Sequence, residues 1–505
     1  MSSPPKPNTA LTEGAILKTL FVFSLPILAG NVLQSLNGSV NAVWVGRFLG
    51  EAALTATSNA NTILFFLLGA VFGVGMAATI LIGQSIGAKN MEQAKRVVGT
   101  SASFFGLVAV AASMLGFLMA PSLLVWMRTP HDALPLAISY LRIIFIAITP
   151  MFLYSFVMMT LRGAGDSKTP FYFLLLSVGL DIVLNPVFIF GLGPIPGLGI
   201  AGSATATLIA NVISLGALLL HLYRRKHFLW LHADETRYFR IDRTILRSLV
   251  GKGVPMGLQM IVISSSMIAM ISLVNRFGSQ TTAAFGAAMQ LWNYIQMPAF
   301  AIGAAASSMA AQNVGAGRWD RVHKTAMSGI TINFLMSGGI IALIYLFEHA
   351  AFSLFLREDT GAITIAQHMN MIVVWAFLFF GISMVLSGVV RSTGAVLPPL
   401  IILFIAFWIV RIPFAYGLIG RWGADAIWWS YPLGSLSSLA MTIGYYRFGN
   451  WRKARMLAPK ANAPETVAPG QAPATAIEAQ AATLPELEMV PDIARQAPAA
   501  PARPR

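Results

Sequence analysis

The side chain with the clearest chemical potential is Asp181, a lone carboxylate in a long apolar stretch. It is the one charged residue between Thr169 and Tyr223. A charged carboxylate near the centre of a membrane span costs about 2.5–3.5 kcal/mol on insertion scales. We expect it to be protonated there or to meet a cation or water, and both states suit a protein that loads and releases H⁺ or Na⁺. A neutral, hydrogen-bonded structural Asp is the alternative.

Three apolar stretches of the first half carry polar residues at helical spacing. Residues three or four positions apart share one helix face, so these rows predict a polar cavity enclosed by three helices. We expect Asp181, Asn185 and Asn41 to bind the coupling cation, with a Na⁺ ion near Asp181 as the one metal considered. The alternative is that the amides join helices, at about 0.6 kcal/mol each. The rows are Asn31, Gln34, Asn37 and Asn41; Ser177, Asp181 and Asn185; Ser203, Thr207, Asn211 and Ser214.

Within these rows, Gln34, Asn37, Thr207 and Asn211 are predicted to line the cavity. Pro26 precedes the first row by about one turn. Proline removes a backbone hydrogen bond from a helix, so we predict a hinge at Pro26.

The second half has its own polar candidates for a substrate cavity, among methionines and aromatic residues. Such side chains suit a cavity for varied apolar ligands, although packing alone also explains them. Arg411 stands near where the first half has Asp181, and either anchors an anionic group or caps helix carbonyls. The predicted cavity residues of this half are Gln259, Gln290, Asn293 and Arg411.

The composition is that of a membrane protein. Of 505 residues, 56% are hydrophobic and 10% charged, and the mean hydropathy is +0.70. A soluble chain is about 25% charged, and each span needs about 20 apolar residues. We predict an all-α polytopic membrane protein with about twelve transmembrane helices. They lie near 15–40, 53–83, 97–121, 135–161, 169–191, 200–223, 245–275, 280–311, 325–347, 363–389, 396–419 and 425–447.

A short motif occurs twice in the chain. Residues 84–88 (QSIGA) return as 312–316 (QNVGA), Arg162 returns as Arg391, and Pro26 returns as Pro255. The shifts are 228, 229 and 229 residues, which is the length of six spans with their loops. An even number of spans returns the chain to its starting side, so the halves are parallel repeats, as in some secondary transporters.

The basic residues set the predicted orientation. With the N-terminus in the cytoplasm, 21 Lys and Arg residues fall in inner loops and the start of the tail, and 5 fall in outer loops. This asymmetry places both termini in the cytoplasm of a multi-pass protein of the cell inner (plasma) membrane. The net charge of +15 is therefore a topology signal, and it does not indicate nucleic acid.

The predicted organisation has five segments. Residues 1–14 form a polar lead, 15–223 the first lobe of six helices, and 224–244 a cytoplasmic basic linker. Residues 245–449 form the second lobe. Residues 450–505 are an Ala/Pro-rich tail that we expect to be disordered, because it cannot bury enough apolar surface to fold.

Several stretches together resemble the MATE (multidrug and toxic compound extrusion) transporters, over about residues 15–450. The resemblance implies a V-shaped pair of six-helix bundles and antiport, in which inward H⁺ or Na⁺ drives export of cationic or amphipathic compounds. The matching stretches are Ser24–Pro26, Asn41–Arg47, Gly83–Ala88, Arg162–Asp166, Asp181–Pro186, Gly199–Gly202 with Ala206 and Thr207, and Arg391–Gly394.

Some positions depart from the pattern of that family. This chain has Asn41 where the family often has Asp, and it has Asp181 then Asn185 where proton-coupled members have Asn then Asp. Members with a second cation site carry acids in spans seven and ten, near Ile263 or Ser264 and near Phe380 of this chain. The departures leave Asp181 as the expected coupling carboxylate.

The sequence thus predicts a transporter, with small molecules, H⁺ or Na⁺ and the bilayer as partners, no cofactor, and a monomeric state. The chain has no cysteine and no G-x-x-x-x-G-K-[ST] motif for ATP. A lipid-linked precursor flippase is the first rival. It requires a basic cavity, and Arg411 is the one basic residue that we assign to the cavity. A polytopic membrane enzyme and a channel are weaker rivals.

Overall fold

The computed structural model describes residues 11–231, 233–356 and 361–457, and the described part is almost wholly helical. Six long helices form the first half. A two-stranded antiparallel hairpin, β1 (Gly191–Leu192) and β2 (Ile195–Pro196), joins the fifth to the sixth. The helices are α1 (Ile16–Leu49), α2 (Glu51–Gly87), α3 (Met91–Trp126), α4 (Leu134–Gly163), α5 (Lys168–Phe190) and α6 (Ile200–Arg224).

The second half repeats this plan with more interruptions. A π-helical segment, Ile405–Arg411, interrupts the eleventh span, and a break after Val373 bends the tenth by 45°. The helices are α7 (Arg243–Val274), α8 (Ser279–Gly315), α9 (Trp319–Leu346), α10 (Glu348–Ser353), α11 (Ala362–Val373), α12 (Ala376–Arg391), α13 (Leu397–Phe404), α14 (Ile412–Trp422) and α15 (Asp425–Phe448).

The twelve predicted spans are confirmed. Within the described ranges, eight helical stretches are long and apolar enough to cross a membrane by themselves, and the bent pair α11–α12 makes a ninth. The remaining three are α2, α8 and α15, which are 37, 37 and 24 residues long. They are long enough to span about 30 Å of hydrocarbon at 1.5 Å per residue.

We call α1–α6 the N-lobe and α7–α15 the C-lobe. Helices α3, α4 and α6 pack together in the N-lobe, and α8, α9 and α12 pack together in the C-lobe. All described residues up to Leu457 form one compact unit, so the lobe boundaries at 15–223 and 245–449 stay a prediction.

The predicted linker contains a packed element. Residues Ala233–Phe239 form a 3₁₀ helix that lies on α3. Tyr238 is buried against Gly99, and Lys95 of α3 pairs with Glu235 at 2.6 Å. The linker therefore fixes α3 to the start of α7, where Asp242 caps the helix.

The start of the predicted tail is not disordered. Trp451 is 1% exposed and stacks on Tyr446 with ring centroids 4.9 Å apart. Its carbonyl accepts a hydrogen bond from Thr393 at 2.8 Å, and Met456 is buried too. The prediction was wrong for residues 450–457 because these apolar side chains are packed: Trp451 lies in a cluster formed mostly by the C-lobe, and Met456 lies in a cluster of mostly N-lobe and α7 residues. Residues 458–505, like residues 1–10 of the lead, lie outside the described residues.

The repeated motif joins the two lobes. Gln84 at the end of α2 donates to the carbonyl of Ser392 at 2.6 Å, and its repeat equivalent Gln312 donates to the carbonyl of Gly163 at 3.0 Å. We call these two reciprocal bonds the inner latch. They lie at the end of the molecule that carries the loops after α2, α4, α6, α8, α12 and α15. We name it the inner end because the sequence predicts that these loops are cytoplasmic.

Glycine is required at the inner latch because backbones meet there. A Cβ added at Gly87 would overlap the carbonyl of Gln312, and one added at Gly315 would overlap the carbonyl of Gln84. The lead reinforces this end, since the carbonyl of Leu11 accepts from Asn313 at 3.0 Å. The lobes are thus in backbone contact at the inner end.

We expect Gly315→Val to separate the inner ends of the lobes, at an overpacking cost of about 1–3 kcal/mol. The distance between spin labels on cysteines placed at Glu92 and Asp320 should lengthen. The natural chain has no cysteine, so these labels have no background. Gly286→Val is the matched control on α8, because a Cβ there meets nothing within 4 Å. Equal distances in the two variants would contradict the latch.

Candidate functional site

The Asp181 carboxylate is 3% exposed and accepts three hydrogen bonds from other helices. From α1, Asn37 donates to Oδ2 at 3.0 Å and Asn41 donates to the same Oδ2 at 2.9 Å. From α6, Thr207 donates to Oδ1 at 2.9 Å. The polar rows predicted from spacing therefore meet at this carboxylate, which we call the carboxylate cluster together with Asn185.

Asn185 completes the cluster from one turn further along α5. Its Nδ2 donates to Oδ1 of Asn41 at 2.8 Å and to the backbone carbonyl of Asp181 at 2.9 Å. Two side-chain oxygens, Oδ1 of Asn37 and Oδ1 of Asn185, are buried without a hydrogen-bond partner. A buried acceptor without a partner is costly, and either oxygen suits a proton donor or a cation.

Helix geometry explains why these residues meet. Asn37 and Asn41, Asp181 and Asn185, and Thr207 and Asn211 are three pairs at a spacing of four, so each pair lies on one face of its helix. Helix α5 contacts both α1 and α6. Asn211 is 8% exposed and donates to the backbone carbonyl of Thr207, so it supports the cluster without reaching the carboxylate.

A metal ion at the carboxylate cluster would need neutral oxygen ligands in addition to the Asp181 carboxylate. Among the described residues no three His, Asp or Glu side chains are grouped closely enough to hold a metal ion. A Na⁺ ion near Asp181 would have to combine its carboxylate with amide and hydroxyl oxygens. These are the ligands that hard cations prefer.

A second feature is a central cavity of about 550 Å³ between the lobes. Its polar lining comes from both lobes, and methionine and phenylalanine form most of the rest. The polar and charged lining residues are Asn31, Gln34, Arg162, Gln259, Asn293, Gln296, Arg391, Arg411, Tyr431 and Ser435.

The single polar cavity that the sequence predicted is therefore two sites. Gln34 lines the central cavity, whereas Asn37 and Asn41 on the same helix bind Asp181. The difference arises because α1 lies between α5 of the N-lobe and α8 of the C-lobe. Part of the polar row of α1 therefore faces α5, and the rest faces the cavity on the side of α8.

Three of the four predicted C-lobe residues, Gln259, Asn293 and Arg411, line the central cavity. Gln290 does not: it is exposed and is absent from the lining. Its neighbour Met289 lines the cavity with Asn293, four residues on. A shift of one position turns a helical side chain by about 100°, which takes Gln290 off this face.

Arg162 and Arg391 were missed as cavity residues. They lie in the last turns of α4 and α12, and sequence reasoning counted them as inner-loop charges. Arg391 donates to Oε1 of Gln259 at 2.6 Å, and Arg411 lies over the ring of Tyr431 at 3.4 Å. The available signal was their recurrence at equivalent positions of the repeat. The sequence argument against a basic cavity was therefore wrong, since the lining has three arginines.

Comparison with known proteins agrees with this architecture. A family model described as MatE matches residues 26–187 and 255–417. The matched segments begin 229 residues apart (255 − 26), which confirms the repeat read from the sequence.

Two curated relatives match nearly the whole chain. The probable multidrug resistance protein YoeA of Bacillus subtilis (strain 168) is 39% identical over 90% of this chain and 98% of its own. The probable multidrug resistance protein YpnP of the same organism is 32% identical over 89% and 99%.

A solved structure shows the same fold. It is the outward-facing conformation of a multidrug resistance MATE family transporter of the MOP superfamily, with a TM-score of 0.80 at 22% identity. The match covers 88% of this chain and 98% of that one. The architecture of two helical bundles is thus confirmed, and the chain belongs to the MatE family of membrane transporters.

Proposed function

We propose that this protein is a secondary antiporter that exports small amphipathic organic compounds in exchange for H⁺ or Na⁺, with Asp181 as the coupling group. The observation that carries the proposal is that one helix serves both sites. Helix α1 presents Gln34 to the central cavity and Asn37 and Asn41 to Asp181. The names of the curated relatives as multidrug resistance proteins support the kind of substrate.

The hydrogen bonds supply a coupling mechanism. Asn37 and Asn41 both donate to Oδ2 of Asp181. A proton added to Oδ2 turns that acceptor into a donor, so at least one of the two bonds must break. The new O–H can then be satisfied if an asparagine amide turns its Oδ1 towards it. Protonation therefore alters the attachment of α1 to α5.

The movement of α1 begins at the predicted hinge. Pro26 lies inside α1, beside Phe23 and Ile27, which pack against α8. The inner part of α1 is thus held by the C-lobe, while the part beyond Pro26 carries the residues of both sites. Proline has no backbone N–H, so α1 lacks one helical hydrogen bond at Pro26 and bends there at a lower energetic cost. The proposed bend shrinks the cavity and expels the substrate when Asp181 is neutral.

The proposed orientation of the protein in the membrane follows from the distribution of basic residues, and the proposed direction of transport follows from the closed inner latch. We place the inner end, both termini and the linker in the cytoplasm, because the basic residues are concentrated there. The inner latch then closes the cytoplasmic side, and a substrate in the cavity leaves outwards. One proton yields about 1.4 kcal/mol per pH unit and about 2.3 kcal/mol per 100 mV. We propose that a monomer suffices, since each lobe contributes to the cavity.

The lipid-linked precursor flippase remains a second candidate, because one observation favours it. Arg162, Arg391 and Arg411 give the cavity the basic lining that a pyrophosphate group requires. A cavity of about 550 Å³ has the size of a drug-like ligand site, which favours the antiporter.

We expect Asp181→Asn to abolish gradient-driven efflux of a dye from proteoliposomes, because the amide cannot exchange a proton at neutral pH. Efflux should be measured with a pH gradient in Na⁺-free buffer, and separately with a Na⁺ gradient at equal pH. The gradient that drives the wild type identifies the ion. Asp132→Asn, in an exposed loop, is the control and should transport normally. Unchanged driven efflux in Asp181→Asn excludes Asp181 as the coupling group.

A second variant tests whether the carboxylate is held in its ionised form. Thr207→Val removes one donor to Asp181 and keeps the shape of the side chain. A hydrogen bond to a charged group contributes about 1.5–3 kcal/mol, so we expect a clear fall in the melting temperature of the purified protein. Thr205→Val is matched, since Thr205 on the same helix donates only to the carbonyl of Ala201. Equal losses in the two variants would show that Thr207 does not stabilise a charge.

A further inference from the structure

We infer that the central cavity selects amphipathic organic anions, soluble molecules with a carboxylate, sulfonate or phosphate on an apolar body. This rests on the proposed export function and names its substrate class. Among the described residues, the lining contains three charged side chains, and all three are arginines: Arg162, Arg391 and Arg411. No described Asp or Glu lines the cavity. Asp181 lies in the carboxylate cluster instead.

These arginines lack anionic partners among the residues that the structure describes. None of the three forms an ion pair with a carboxylate in the described part of the chain. Arg411 is 6% exposed, and its Nε and Nη2 have no hydrogen-bond partner. Arg391 is 8% exposed, and its Nε likewise has none. Buried, unpaired donors of a charged group are costly, and an anionic ligand removes that cost.

The surroundings of Arg411 explain how the charge is held without a carboxylate. Its guanidinium lies 3.4 Å from the ring centre of Tyr431 and 5.6 Å from that of Phe407. Cation–π contacts stabilise a guanidinium while leaving its N–H edge free for a ligand. Arg411 also ends the π-helical segment, and such segments are frequent at functional sites. Planar guanidinium groups bind carboxylates and phosphates through paired hydrogen bonds.

The rest of the lining fits an apolar body of variable shape. Methionine side chains are flexible and polarisable, so they adapt to different ligands, and phenylalanines offer flat surfaces. The cavity volume of about 550 Å³ matches one drug-sized molecule. Met267, Met289, Met297, Phe300, Phe377 and Phe380 are among these apolar lining residues.

Two xanthene dyes of opposite charge test the inference. Binding of anionic carboxyfluorescein and cationic rhodamine 6G to the purified protein in detergent is measured by fluorescence anisotropy. We expect carboxyfluorescein to bind more tightly. Tighter binding of rhodamine 6G would overturn the inference. No ion gradient is present, so this result does not depend on coupling through Asp181.

Variants then assign the effect to the arginines. Arg411→Gln and Arg391→Gln should each weaken carboxyfluorescein binding roughly tenfold or more, and Arg411→Lys should weaken it less, since it keeps the charge. Rhodamine 6G binding should not weaken. Arg421→Gln, an exposed site on α14, is the matched control. Size-exclusion profiles identify any variant that does not fold. Unchanged carboxyfluorescein affinity in both glutamine variants contradicts the inference.

Transport separates this inference from the antiport proposal and from a lipid source. In proteoliposomes, gradient-driven efflux of carboxyfluorescein by the wild type, and its loss in Asp181→Asn, support both the anion inference and the antiport proposal. Gradient-driven efflux of rhodamine 6G without efflux of carboxyfluorescein contradicts the anion inference and leaves the antiport proposal intact. Tight binding of carboxyfluorescein with efflux that no gradient drives contradicts antiport and leaves the anion inference intact. Translocation of a fluorescent phosphatidylglycerol that depends on Arg411, with no efflux of carboxyfluorescein, assigns the anion to a lipid headgroup and overturns the soluble class.

Discussion

The hydrogen bonds between α1 and the Asp181 carboxylate are the interaction on which the rest of the structure depends. A carboxylate that is 3% exposed must be satisfied by protein groups, and two of its three donors come from α1. Any change in the charge of Asp181 is therefore a change in how α1 is attached to the N-lobe. Because α1 also packs on α8 and presents Gln34 to the central cavity, a local protonation or cation-binding event at Asp181 would have a direct mechanical route to that cavity.

The two halves of the repeat share the same helical scaffold but carry different buried charged residues. The inner latch is reciprocal, with Gln84 and Gln312 making equivalent bonds to opposite lobes. The buried charges are not equivalent. The family matches begin at 26 and 255, 229 residues apart, and this shift carries Asp181 to Val410, the residue before Arg411. Within one residue of the equivalent position, the N-lobe thus holds an acid and the C-lobe holds a base. A parallel repeat allows this because each lobe needs the same packing but not the same ligand.

Hydrophobic and polar periodicity in the sequence predicted much of this structure. It failed where one helix packs against two different neighbouring helices. Twelve spans, the repeat and the meeting of Asn41, Asp181 and Thr207 all follow from hydropathy and from i, i+4 spacing. The same spacing could not divide the polar row of α1, because its direction depends on where α5 and α8 pack. It could not fix the rotation of α8, so Gln290 was chosen where Met289 faces the cavity. Terminal arginines such as Arg391 have the same sequence signature whether they orient a span or line a cavity.

The separation of the two sites constrains any coupling scheme. Asp181 is not part of the cavity lining, so a substrate in the cavity does not compete with a proton or cation for the same carboxylate. In the proposed antiport, exchange must arise from a coupling free energy between distinct sites. Such a coupling is reciprocal: if protonation weakens substrate binding, bound substrate weakens proton binding by the same factor. Helix α1 is the element that contacts both sites.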